Sequence, residues 1–239
     1  MKFLPLLFCM APMIGAQSPR KQPLNGEIVL EKLRATYGGH ENLKRLTAVT
    51  EIYNVKAEAF GIKTESRNIL TYDVWRPRSL EVTKTDNREM FAGFNGQETW
   101  NLPVEPQTLQ GVGSAMNEWL GNLPVLLTHN EVHFALIETD SRTLALEAWH
   151  EHEGEQHPLG TYFIDPATYH ILAVEITRKS GRLSRFEISH YQWVQGYLFP
   201  AQIDYKAGQQ AISFTLLETR INPDLADDFY SQSHHGKQK

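Results

Sequence analysis

The residues best equipped for chemistry in this chain are its ten histidines. His150 and His152 stand two apart, so on a strand they share a face and suit a metal, with Glu151, Glu153 and Glu155 beside them. Glu151-His152-Glu153-Gly154-Glu155 is also the composition of a hairpin tip, and a solvated loop explains it better than a metal site. His129 and His133 are four apart, but the apolar period changes from helical to strand-like between them. His234-His235 lie in a polar end of the chain. Gly111-Val112-Gly113-Ser114-Ala115 lacks the strand, Gly-x-Ser-x-Gly, helix order of a serine nucleophile. Asp73, Asp165, Asp227 and Asp228 fit strand ends and turns, and no phosphate loop or dinucleotide fingerprint occurs. The expectation is a protein that is not an enzyme, with no catalytic residue, no metal ligand and no cofactor.

The ends of the chain read as an address and a tail. Met1–Ala16 opens with Lys2, runs apolar and closes on Gly15-Ala16, the pattern of a cleavable export signal. At that length, and with Pro5 and Pro12 inside it, the run is too short for a ~30 Å hydrocarbon core. Cys9, the only cysteine, follows the bulky Phe8 rather than a small residue, and is expected to leave with the signal instead of carrying a lipid. Residues 17–25 read as a flexible leader, 26–230 as one domain, and 231–239 as a loose polar tail. The predicted mature protein is soluble and periplasmic. A formal net charge of −5 argues against a nucleic-acid partner, because phosphates need a basic face.

Within the domain, the apolar period names the elements. Val29, Leu30, Leu33 and Tyr37 lie on one helical face, with Asn25 as cap and Gly38-Gly39 as stop. After Leu46 the period becomes two: Val49 to Ala57, Leu70 to Val74, Leu80 to Val82, Arg88 to Phe94 and Gln97 to Leu102 read as strands. Asn95-Gly96 predicts a two-residue hairpin, since both positions of such a turn take positive φ. Met116, Trp119, Leu120, Leu123, Leu126 and Leu127 form a helical stripe over 114–129, broken by Gly121 and Pro124. Seven further strands follow between Val132 and Thr219, separated by turn residues. Eleven or twelve strands with short connections imply antiparallel pairing. The reading is a mainly β (α+β) fold: one large curved antiparallel sheet with few, short helices for its broad concave face, which either leave an apolar cavity for a ligand or fill that face as a dry core.

Six stretches carry a resemblance. They are a helix ending Tyr37-Gly38-Gly39; Tyr72-x-x-x-Arg76-Pro77-x-x-Leu80-Glu81-Val82; Phe94-Asn95-Gly96-Gln97-Glu98-Thr99-Trp100; Tyr162-Phe163-Ile164-Asp165-Pro166-Ala167-Thr168; Phe199-Pro200-Ala201-Gln202-Ile203; and Ile221-Asn222-Pro223-x-Leu225-x-x-x-Phe229. In order and spacing, across 27–230, they resemble the outer membrane lipoprotein-sorting proteins, the family of the periplasmic carrier LolA and its LolB-like relatives. The resemblance implies an unclosed half-barrel whose apolar concave face is covered by helices. It also implies a carrier of lipid or of the acyl chains of lipoproteins, exchanging cargo with a donor or acceptor in the envelope. The 114–129 block falls where that family has a lid. The family's functional arginine has three candidate positions here, Arg67, Arg142 and Arg185. Expected ligand-binding residues are Trp75 and Trp100 at strand ends, with Met116, Trp119, Leu120 and Leu123 on the lid. The alternative expectation is an envelope sensor or interaction module that uses the same fold to bind a protein.

Overall fold

The computed structural model describes residues 25–103, 112–139, 142–152, 154–177 and 183–236. The expected export signal and residues 17–24 of the leader lie outside them.

Helix α1 (Gly26–Thr36) starts where Asn25 Oδ1 accepts from the Ile28 N–H at 2.9 Å, and it buries Val29 and Leu33. Gly38 and Gly39, both at positive φ, end it and turn the chain into the short α2 (His40–Leu43). Five strands follow: β1 (Ala48–Ala59), β2 (Ile62–Asp73), β3 (Ser79–Thr85), β4 (Arg88–Phe94) and β5 (Thr99–Leu102). Helices α3 (Val112–Gly121) and α4 (Leu123–Thr128) interrupt the strands. The return set comprises β6 (Val132–Thr139), β7 (Leu144–His152), β8 (Glu155–Ile164), β9 (Ile171–Thr177), β10 (Leu183–Val194), β11 (Tyr197–Ala207) and β12 (Gln210–Ile221), with α5 (Gln232–Gly236) last.

All twelve strands form one antiparallel sheet in the order β5-β4-β3-β2-β1-β12-β11-β10-β9-β8-β7-β6. The chain meanders outward from β1 to one edge, crosses through α3 and α4 to the other edge, and meanders back until β12 pairs with β1. Because β5 and β6 do not pair, the sheet stays open. The predicted fold class therefore holds: an unclosed half-barrel with few helices.

Cross-strand register separates the two faces. Val49, Tyr53, Val55 and Tyr72 share a core with α1, α2, α3 and α4, which makes theirs the concave, helix-covered face. Their neighbours Ile52, Ile69, Val82, Phe91 and Leu102 form one row on the opposite face. There Leu80, Val82 and Trp100 build a second, smaller core with Tyr230, Leu225 and Phe229. As far as Gly236 the expected tail is folded onto this face: Tyr230 is buried, and the His235 ring stacks on Trp100. Polar composition hid this, because the face of a histidine ring can pack on aromatic rings, as His235 does on Phe91 and Trp100.

Three other expectations change. Strand β2 begins at Ile62 rather than Leu70; its outer half is exposed on both faces and has no alternation to read. β8 likewise begins at Glu155 rather than Leu159. The Asn95-Gly96 hairpin exists as a longer loop over 95–98, with only Gly96 at positive φ. Asn95 contributes through its side chain, Oδ1 accepting from the N–H groups of Gln97 and Glu98.

Candidate ligand-binding face

The concave face is closed at one end by helices. Tyr37, at the end of α1, anchors them. The Ile171 N–H donates to the Tyr37 hydroxyl at 3.0 Å, which donates to the Tyr191 hydroxyl at 2.8 Å, which donates back to the Ile171 carbonyl at 2.6 Å. Burial pushes the Tyr37 phenol up to about 12 and the Tyr191 phenol higher still, so both stay neutral donors. Tyr197 O–H donates to the Asn42 carbonyl and ties α2 to the same end. Between α2, α4 and β11 a space of about 10 Å³, room for roughly one water, is lined by Tyr37, Leu43, Leu123, Leu127 and Phe199 among others. The helices fill this end.

Beyond the helices the concave face continues without them. Val174, Phe186, Ile188, Ile203, Ile212 and Phe214 lie on it in register, each only half-buried. Phe186 stacks on Tyr205, and Phe214 meets Tyr53 edge-on. These positions form an apolar floor that the sequence analysis did not single out. Their alternation was visible, but it does not distinguish a strand face under a helix from one left partly open.

The expected ligand residues are divided between places. Leu120 is buried against the concave core, and Met116 and Leu123 pack on it half-buried. Trp119 lies on α3, with its side chain outside the described residues. Trp75 follows β2 at the helix-closed end, 41% exposed, its Nε1–H donating to the Leu46 carbonyl at 2.6 Å. Trp100 faces the other way, in the convex core, 5% exposed and folded over Gly93. Its Nε1–H donates to the Tyr230 carbonyl at 2.9 Å. Strand period placed both tryptophans at strand ends but did not say which face each would meet.

His150 lies on β7, buried on the concave side; its Nε2 lies 2.8 Å from Asn117 Oδ1 on α3, and its ring stacks on His157. Of the candidate arginines, Arg185 lies on the convex face over the Phe163 ring and pairs with Glu175 and Glu187. Arg67 is convex as well, since it sits out of phase with Asn68 and Tyr72 on β2. Arg142 precedes β7.

A buried acidic group also lies on this face. Glu51 is buried on β1, and its carboxylate accepts from the hydroxyls of Tyr53 at 2.8 Å and Tyr72 at 2.9 Å. Burial raises its pKa above the ordinary carboxylate range, against the pull of those two bonds.

An open antiparallel sheet with helices across its concave face defines a class of fold, and solved structures share it. A LolA superfamily protein from Nitrosomonas europaea superposes with a TM-score of 0.62 at 12% identity, over 89% of this chain and 100% of that one. A DUF1329 family protein from Desulfovibrio piger gives 0.59 at 11% identity, over 87% and 98%. An outer membrane lipoprotein-sorting protein domain from Vibrio parahaemolyticus gives 0.56 at 10%, over 87% and 97%. No protein-family model and no curated protein matches the chain. The fold is LolA-like.

Proposed function

We propose that this protein is an exported periplasmic carrier, without catalytic activity, that binds lipid or lipoprotein acyl chains on its concave face beneath α3 and α4. The observation that carries the reading is the apolar floor of Val174, Phe186, Ile188, Ile203, Ile212 and Phe214, which runs out from under the helices half-buried. Covering acyl chains there is favourable by about 0.8 kcal/mol per CH₂. The filled end holds about one water, so deeper entry requires α3 and α4 to move off the sheet. Both are short, and they are joined at Asn122 between Gly121 and the Pro124-containing first turn of α4. Trp119, Leu120 and Leu123 serve as lid residues in this reading, and the fold of lipoprotein-sorting proteins supports it. Among the described residues no helix is long and apolar enough to cross a membrane, which accords with a carrier freed from its signal.

The test is mass spectrometry of an organic extract of the protein purified from periplasm without detergent, with a fluorescent lipid probe alongside. Stoichiometric phospholipid, fatty acid or lipopeptide supports the carrier. Trp119→Asp or Leu123→Asp should weaken probe binding at least tenfold. Unchanged binding in both variants removes the lid assignment. An empty protein that ignores the probe favours a second reading, an interaction module. Phe60 and Ile62, 75% and 68% exposed at the β1–β2 turn, would then be the first contacts to test.

A further inference from the structure

The turn joining β1 to β2 breaks two rules at one residue. Phe60 and Gly61 make it, at φ 52° and 79°. Such a turn takes Asn or Gly at its first position, because a bulky side chain is strained at positive φ. The same positive-φ pair recurs between β10 and β11, with the polar Gln195 before Gly196. At position 60 the strained residue is apolar and largely exposed, and so is Ile62 beside it. They are the two most exposed large hydrophobic side chains among the described residues. Nothing inside the molecule offsets either the strain or the exposure, which points to a partner outside it.

We infer that this turn docks on the surface of a phospholipid bilayer, with Phe60 and Ile62 at the boundary of head groups and acyl chains, and so holds the outer end of the concave face against the membrane. Position favours that partner. β1 starts beside α2 and runs twelve residues to the turn, about 40 Å, so the tip lies at the end away from the helices. On the concave face Val55, Ala57 and Ala59 lead from Phe214 to the tip, opposite Ser66, Thr64 and Ile62 on β2, without a charged residue. Floor and tip are one uncharged path, along which an acyl chain passes without desolvating a charge. Size favours the bilayer too. A stable protein interface buries about 800 Å² on each partner. Two side chains at a two-residue turn, between strand ends exposed on both faces, fall short of that but suit shallow insertion into a membrane surface. On the convex face the row next to the turn holds Lys206, Glu58 and Lys63 in register, two cations with one anion, which suits lipid phosphates. The docking rests on the carrier reading for its purpose, exchange of cargo with a membrane, but it is measured apart from it.

Flotation of the mature full-length protein with vesicles of phosphatidylethanolamine and phosphatidylglycerol tests the docking, and binding of the fluorescent lipid probe tests the carrier beside it. The protein should float with the vesicles. Phe60→Asn combined with Ile62→Thr should cut the floating fraction at least fivefold and leave probe affinity unchanged. The urea midpoint of Phe60→Asn should be no lower than the parent's, because asparagine suits the turn better than phenylalanine. Leu217→Thr, which removes an exposed hydrophobe from β12, should float like the parent. A photo-crosslinker at position 60 should capture phospholipid. A protein that stays behind in the dense layer, or a double variant that floats as well as its parent, overturns the inference, and the carrier stands if the probe still binds. Capture of a protein from position 60 in place of phospholipid overturns it in favour of a protein partner. Flotation without probe binding overturns the carrier and leaves the docking standing.

Discussion

At the residue scale, two buried polar groups set what this protein tolerates. The Tyr37 hydroxyl accepts from one buried group and donates to another, so Tyr37→Phe strands the Ile171 N–H and leaves the Tyr191 hydroxyl with only its own bond to the Ile171 carbonyl. Leaving buried partners unpaired costs about 1–3 kcal/mol. A urea titration should show that loss with the slope unchanged. Glu51 makes a prediction with a sign. Its folded pKa lies above the ordinary value of 4.5, so the folded protein holds this proton more tightly than the unfolded chain. The stability it contributes is present below pH 4.5 and declines as pH rises through the folded value. Tyr53 and Tyr72, which face it, are raised well above 10 and stay neutral throughout. Glu51→Gln should therefore gain stability relative to the parent between pH 4.5 and 8. Urea midpoints that keep a constant difference across that range would contradict a buried carboxyl whose proton is held more tightly in the folded state.

At the element scale, the C-terminal segment is the least expected piece of architecture. It covers the convex face of β3 to β5, and the fit depends on Gly93. A Cβ there would lie about 2.1 Å from the Trp100 ring, which has no room to retreat beneath Tyr230 and His235. Gly93→Ala should destabilise by about 1–3 kcal/mol through overpacking. It should also change the near-ultraviolet circular dichroism of the aromatic cluster while the far-ultraviolet strand signal persists. A normal near-ultraviolet spectrum would mean that Trp100 does not sit over this glycine. Arg78 extends the same device, its guanidinium 4.9 Å from the Tyr230 ring centroid and its Nη2 paired with Asp73 at 2.6 Å. The end of the domain is therefore fastened to the β2–β3 connection as well as to β5.

At the scale of the whole molecule, the sheet and the helical crossover differ in how they are held. β1 and β12 join over eleven registered pairs and bring the first and last strands together. The α3–α4 crossover is short, joins two unpaired sheet edges and rests on the core through apolar contacts with the His150–Asn117 bond as a polar tie. Local opening follows such differences. Amide exchange should be fastest in α3 and α4 among the buried elements and slowest across β1 and β12, and saturation with the lipid probe should slow exchange in α3 and α4 specifically. Uniform exchange across helices and central strands would show that the crossover opens only with the whole domain.

The sequence by itself determined the class of fold. Period-two alternation, short turns and a single helical interruption admit little besides one antiparallel sheet, because hairpin-length connections cannot reverse a strand into parallel pairing. It also placed α1 with its Asn25 cap and the broken helix at Gly121 and Pro124, since capping and proline effects act within a turn or two. Tertiary structure alone decided which face each side chain meets. Trp100 and Leu120 look alike in sequence, as large apolar residues at periodic positions, yet they lie on opposite faces of the sheet. The closing of the convex side by Tyr230 and His235, and the uncharged path from Phe214 to Ile62 across three strands, were equally out of reach. Each depends on register between strands far apart in the chain, and a shift of one residue would have turned every one of those side chains to the other face.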